Sequence, residues 1–161
     1  MEKGKKEYCL FKFNLCILAL VLAFPIHAVT NSKTLEKEVL ESFRSLTDAS
    51  QALDARSYFQ HFDQDKFVGL NSDGTNWNSI DDLAPLINIA FDSIQEVISL
   101  EFLNVKVSII DSYTAILVNE FSQSMLLKNG ETINVSGGGT QVWSKRSGKW
   151  KLVSVSASNK P

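Results

Sequence analysis

Tyr113-Thr-Ala-Ile-Leu-Val-Asn-Glu-Phe-Ser-Gln-Ser-Met-Leu-Leu-Lys-Asn-Gly130 runs into Glu131-Thr-Ile-Asn-Val-Ser-Gly-Gly-Gly-Thr-Gln-Val-Trp-Ser-Lys145. After Arg146-Ser-Gly148 comes Lys149-Trp-Lys-Leu-Val-Ser-Val-Ser-Ala157. Asn129-Gly130 and Ser147-Gly148 punctuate apolar runs rich in β-branched residues. Such pairs supply the positive φ angles of tight hairpins, so the runs are expected to be antiparallel strands. A fourth segment, Leu100 to Ile110, precedes them across Asp111-Ser112, giving a meander of four long strands. Strands of this length must curl to cover a helix, and Gly137-Gly138-Gly139 is expected to supply a bulge or sharp coil.

Upstream the period changes from two to about 3.6. Leu35, Val39, Phe43 and Leu46 fall on one face of a helix, with Ser32 as its cap. Asp54 is placed to cap a second, short helix whose apolar side is Tyr58, Phe59 and Phe62. Lys66 to Leu70 reads as a short strand, Asn71-Ser72-Asp73-Gly74 as a turn, and Trp77 as part of a second short strand. Asp82 is expected to cap a third helix with Pro85 in its first turn, where a missing N–H costs nothing. Leu83, Leu86, Ile87, Ala90, Phe91, Ile94 and Val97 then form a broad apolar stripe, and this helix is expected to lie in the curled sheet with Phe91 and Ile87 buried. Helices grouped ahead of a sheet make the class α+β, with the shape of an open cone.

The N-terminus reads differently. Lys3, Lys5, Lys6 and Lys12 lead an unbroken apolar run from Leu15 to Phe24, followed by Pro25 and the small residue Ala28. Basic lead, apolar stretch and small residue are the order of a secretory signal peptide, here residues 1–28, with a mature domain of 29–161 in the periplasm or outside the cell. Ten residues span only ~15 Å as helix against a ~30 Å hydrocarbon core, so no stable membrane anchor is expected. Cys16 comes too early in the run to be a lipidation site. Removing residues 1–28 takes the basic count from 16 to 12 and the acidic count from 18 to 16, a net charge of −4. No dense Lys/Arg stripe remains, which excludes nucleic acid as the main partner. Cys9 and Cys16 leave with the leader, so the mature chain has no disulfide, thiolate nucleophile or cysteine-based metal site. The glycine triplet lacks a following Gly-Lys-Ser/Thr and lies within a strand, so it is no phosphate loop, and no cofactor or metal is implied.

Lys66-Phe-Val-Gly-Leu-Asn-Ser-Asp-Gly-Thr-Asn-Trp77 resembles the phenylalanine, glycine, acidic turn and tryptophan run of SnoaL-like domains in the nuclear transport factor 2-like superfamily. Thr140-Gln-Val-Trp-Ser-Lys-Arg-Ser-Gly-Lys-Trp-Lys-Leu-Val153 resembles their penultimate hairpin, and Ser158-Asn-Lys-Pro161 their ending. The resemblance implies a cone-shaped fold, frequent homodimers through the outer sheet face and, in the family's enzymes, an Asp, His or Tyr set deep in the cone. Those enzymes include isomerases, dehydratases, epoxide hydrolases and polyketide cyclases. Relatives often carry histidines on the last strand, where this chain has Ser154 and Ser156.

His61 is the sole histidine beyond the leader and the natural acid or base, with Asp63 its nearest acidic neighbour. Phe59-Gln-His-Phe62 puts it at the end of a short helix, and Asp-Gln-Asp-Lys reads equally well as a solvated loop. Along the strand after Tyr113, alternation groups Ala115, Leu117, Asn119, Phe121 and Met125 and leaves Glu120 on the opposite face. Tyr58, Trp77, Asn119, Phe121 and Gln123 are the expected pocket residues, and amides exchange no protons near neutral pH. Two readings follow: a non-catalytic domain holding a small apolar ligand or a protein partner, and a small-molecule isomerase, dehydratase or hydrolase.

Overall fold

A computed structural model describes residues 32–160. The expected signal peptide and its cleavage point lie outside the described residues. Helix α1 spans Ser32–Gln51, α2 Ala55–Phe59 and α3 Ile80–Ser93. Strands β1 and β2 are Val68–Leu70 and Asn76–Trp77, and four longer strands follow: β3 Ile94–Asp111, β4 Thr114–Leu127, β5 Thr132–Ser144 and β6 Lys151–Asn159.

The meander forms as its turns dictate. Gly130 and Gly148 take φ of +88° and +91°, and their N–H groups close the turns onto Leu127 and Lys145. The β1–β2 hairpin then adds to the free side of β6, β1 lying parallel to it with Gly69 opposite Val155. The result is one mixed six-stranded sheet in the order β2-β1-β6-β5-β4-β3. β1 begins at Val68 rather than Lys66 because the Phe67 N–H turns back to the Asp63 carbonyl.

The filling of the cone departs from expectation. Leu35, Val39, Phe43 and Leu46 of α1 are all buried, and they meet Leu117, Trp143 and Leu152 of the sheet in one core. On α3 only Ile80 and Leu83 are buried, while Leu86 is 49% and Ile89 67% exposed. Phe91 and Ile87 are half-buried. The helix also starts earlier: Ser79 Oγ accepts from the Asp81 N–H at 3.1 Å, and Asp82, already in the first turn, accepts from the Asn78 N–H at 2.8 Å. Pro85 is therefore inside α3, beyond its first turn. Ile94 is extended (φ −84°, ψ 132°), so Ile94 and Val97 belong to β3. A stripe continued through them joined two elements that share no face.

The glycine triplet is also different. β4 and β5 keep continuous register from Thr114↔Ser144 through Gly137, Gly138 and Gly139 to Leu126↔Thr132. The irregularities that curl the sheet lie in β3, between Leu103 and Lys106 among others, where Asn104 has φ +52°, and at Val142/Trp143 between β5 and β6. Gly137 is required for another reason: an added Cβ would lie 2.0 Å from the Ser158 carbonyl oxygen and 2.8 Å from the Phe121 ring.

Candidate functional site

Two regions hold most of the residues singled out from sequence. The first is the inner, concave face of the sheet. Ala115, Leu117, Asn119, Phe121 and Gln123 alternate with Ile116, Val118, Glu120 and Ser122 along β4, and Ala115 and Leu117 belong to the core. Asn119 and Phe121 therefore face inward beyond the filled part of the cone. Phe121 is opposite Phe102 on β3, whose ring meets Phe43 edge-on at 5.0 Å. Asn119 is only 7% exposed, and its Oδ1 meets no donor among the described residues. Most buried side-chain acceptors have a partner, and one without costs about 1–3 kcal/mol.

Glu120 points outward as expected, accepting from Lys160 Nζ at 3.0 Å and Asn104 Nδ2 at 3.2 Å, and these partners hold its carboxyl below the ordinary glutamate range. Ser154 and Ser156 pair with Val142 and Thr140 and alternate with the core-packed Val155, which places them on the outer face as well. Trp77 packs on the core from β2, with three strands between it and β4 in sheet order. Tyr58 stands in an aromatic cluster with Phe59, Phe62 and Phe91, ring centroids 5.0–5.6 Å away. Burial pushes its phenol up to about 12, so it stays protonated at neutral pH. Asn119, Phe121 and Gln123 thus share one wall, whereas Tyr58 belongs to the helical side and Trp77 to the far edge.

The second region is a groove of about 590 Å³ between α1, the loop after α2 and the β5–β6 turn. His61 lines it, its Nε2 3.2 Å from Ser45 Oγ. The backbone is stitched there: Leu152 N–H donates to the His61 carbonyl at 2.8 Å, and Asp63 N–H to the Leu152 carbonyl at 3.0 Å. Asp63 Oδ1 turns back to accept from the Asp65 N–H at 3.2 Å, in the loop the sequence suggested. His61 and Asp63 therefore have different partners and form no acid–base pair. Burial, and secondarily the Lys151 ammonium, depress the imidazole pKa.

The remaining groove residues carry no local signal in the sequence. Glu38 Oε2 accepts from Lys145 Nζ at 2.6 Å and from Trp150 Nε1 at 2.9 Å, and these bonds hold its carboxyl low. Lys151 Nζ donates to the Gln60 carbonyl. Glu38 and Lys145 are 107 residues apart, Gln60 and Lys151 91, so only the fold assembles them.

The architecture is shared widely among solved structures. A nuclear transport factor 2-like superfamily protein from Salmonella enterica superposes with a TM-score of 0.71 at 16% identity, over 80% of this chain and 93% of that one. The association domain of CaMKII from C. elegans gives 0.64 at 24% identity, over 78% and 96%. A candidate dehydratase of the NTF2-like family from Streptomyces avermitilis gives 0.69 at 14%, over 80% and 97%. At these identities the likeness establishes the fold alone. No curated protein matches the sequence. The SnoaL-like domain family does match, over residues 39–160, the span from mid-α1 through β6, and the chain belongs to that family.

Proposed function

We propose that this SnoaL-like domain is an exported binding module that holds a small, uncharged, largely apolar molecule on its concave wall and performs no acid–base catalysis. The observation that carries the reading is Asn119: a buried amide oxygen without a donor among the described residues, set between Leu117 and Phe121 on the inner face. A molecule that lays an apolar body on Phe121 and brings one hydroxyl or N–H to this oxygen as the amide turns outward matches the wall's chemistry. Asn119 and Gln123 transfer no protons, Tyr58 stays neutral, and His61 faces Ser45 on another flank.

The test is Asn119→Leu. Removing an acceptor that lacks a partner is expected to stabilise the ligand-free protein by ~1 kcal/mol. In thermal-shift titrations the wild type should respond more to a medium-chain alcohol than to its methyl ether, and the variant should treat the two alike. A destabilised variant, together with equal response of the wild type to alcohol and ether, rules the site out.

Export rests on the order of charge, apolar run and small residue in residues 3–28. Self-association rests on the outer face, where Leu103 and Val118 are 50% and 40% exposed. The SnoaL-like chain should be recovered outside the cytoplasm starting near Val29, with a light-scattering mass of two protomers. Retention of Met1, or a monomer mass across micromolar concentrations, removes the corresponding part.

A further inference from the structure

The groove beside His61 has a charge pattern that the concave-wall reading does not use. Five charged side chains line it: Glu38 and Glu41 from α1, and Lys145, Lys149 and Lys151 from the β5–β6 hairpin. Glu38 is matched to Lys145, and Glu41 pairs along the helix with Lys37 at 3.7 Å. The ion pairs among the described residues do not include Lys149 or Lys151. Among the described residues, Lys151 Nζ donates to the neutral Gln60 carbonyl, which fixes the ammonium beside His61 without neutralising it. Ser45 Oγ lies 3.2 Å from the imidazole Nε2.

We propose that this groove binds a small oxyanion, a carboxylate or a phosphate, between the ammonium groups of Lys149 and Lys151 and the imidazole of His61. A volume of about 590 Å³ exceeds what a bare oxyanion fills, so the ligand carries an organic body along the groove. Burial and the neighbouring Lys151 ammonium both oppose a charged imidazole in this groove. An anion between the two cations reverses that balance, so binding and protonation of His61 reinforce each other. By linkage, a tenfold preference of the anion for the protonated form raises the His61 pKa by about one unit. Glu38 and Glu41 are already engaged with Lys145 and Lys37 and remain so.

The experiment follows the His61 Cε1–H resonance of the full chain, assigned by its loss in His61→Gln, across a pH titration. Sulfate stands in for phosphate because its charge is constant over the range, benzoate supplies the carboxylate, and sodium chloride at equal ionic strength is the control. We expect sulfate or benzoate to raise the His61 pKa by about one unit beyond the control, and Lys151→Met and Lys149→Met each to weaken that response about tenfold. Response to benzoate alone assigns a carboxylate ligand, and to sulfate alone a phosphate. A shift no larger than that in chloride, or one as large in both lysine variants as in the wild type, overturns the proposal. Lys149→Met gives up no side-chain hydrogen bond among the described residues, so it stays informative if losing the Gln60 contact disturbs the loop in Lys151→Met.

Discussion

Gly137→Ala is expected to destabilise the domain by ~3 kcal/mol or more, while Gly138→Ala, one residue along, costs less than ~1 kcal/mol. The difference lies in what a methyl group meets. At Gly137 it would stand 2.0 Å from the backbone oxygen of Ser158 and 2.8 Å from Phe121. A ring can turn aside, but the Ser158 carbonyl belongs to β6, which pairs with β5 as Gly138↔Ser158 and Gly137↔Asn159. Relief requires parting the two strands over their last pairs. At Gly138 the nearest atom is the Asn119 carbonyl oxygen at 3.5 Å, an ordinary contact, and neither glycine has a positive φ. There the lost flexibility of the unfolded chain partly offsets any crowding. Denaturant midpoints of the two variants decide the matter; equal midpoints would mean that β6 does not approach Gly137 as described.

That pair of glycines also shows how far the sequence was legible. Local chemistry read correctly: Asn129-Gly130 and Ser147-Gly148 made hairpins, Asp54 capped α2 by accepting from Ser57 N at 3.0 Å, and Leu35, Val39, Phe43 and Leu46 made one buried face. Alternation along β4 put Asn119 inside and Glu120 outside. What failed depended on elements distant in the chain. The triplet looked like a curvature device, but the reason for Gly137 is a carbonyl 21 positions later. The groove around His61 was hidden because Ser45, Gln60, Lys145 and Lys151 come from three separate segments, and nothing in Phe59-Gln-His-Phe62 indicates that Leu152 will stitch that loop to β6. Asp63, by contrast, was legible as part of a solvated loop rather than as a partner of His61: its Oδ1 accepts from the Asp65 N–H.

Phe43→Ala should cost ~3–5 kcal/mol, the range for emptying a core aromatic site, while Phe91→Ala should cost no more than ~2 kcal/mol. From sequence alone the ranking would be reversed, because the stripe around Phe91 is longer and more apolar than that of α1. Stripe length measures how much surface a helix could cover, not which helix reaches the sheet. α1 has twenty residues without an internal proline and turns Leu35, Val39, Phe43 and Leu46 onto the concave face. α3 has fourteen, with Pro85 inside it, and passes directly into β3 at Ile94. A helix tied to the first residue of the sheet's edge strand cannot also lie along the middle of that sheet. Its apolar residues are consequently divided, Leu83 being 2% exposed and Ile89 67%. Phe43, at 4% exposure, fills the space between α1 and β3 with its ring against Phe102, so its removal leaves a cavity enclosed by both elements. Phe91 meets Tyr58 edge-on at 5.6 Å and is only partly buried, so solvent can enter the space it leaves. Chemical denaturation of the two variants ranks them directly: a larger loss for Phe91→Ala than for Phe43→Ala would return α3 to the centre of the cone.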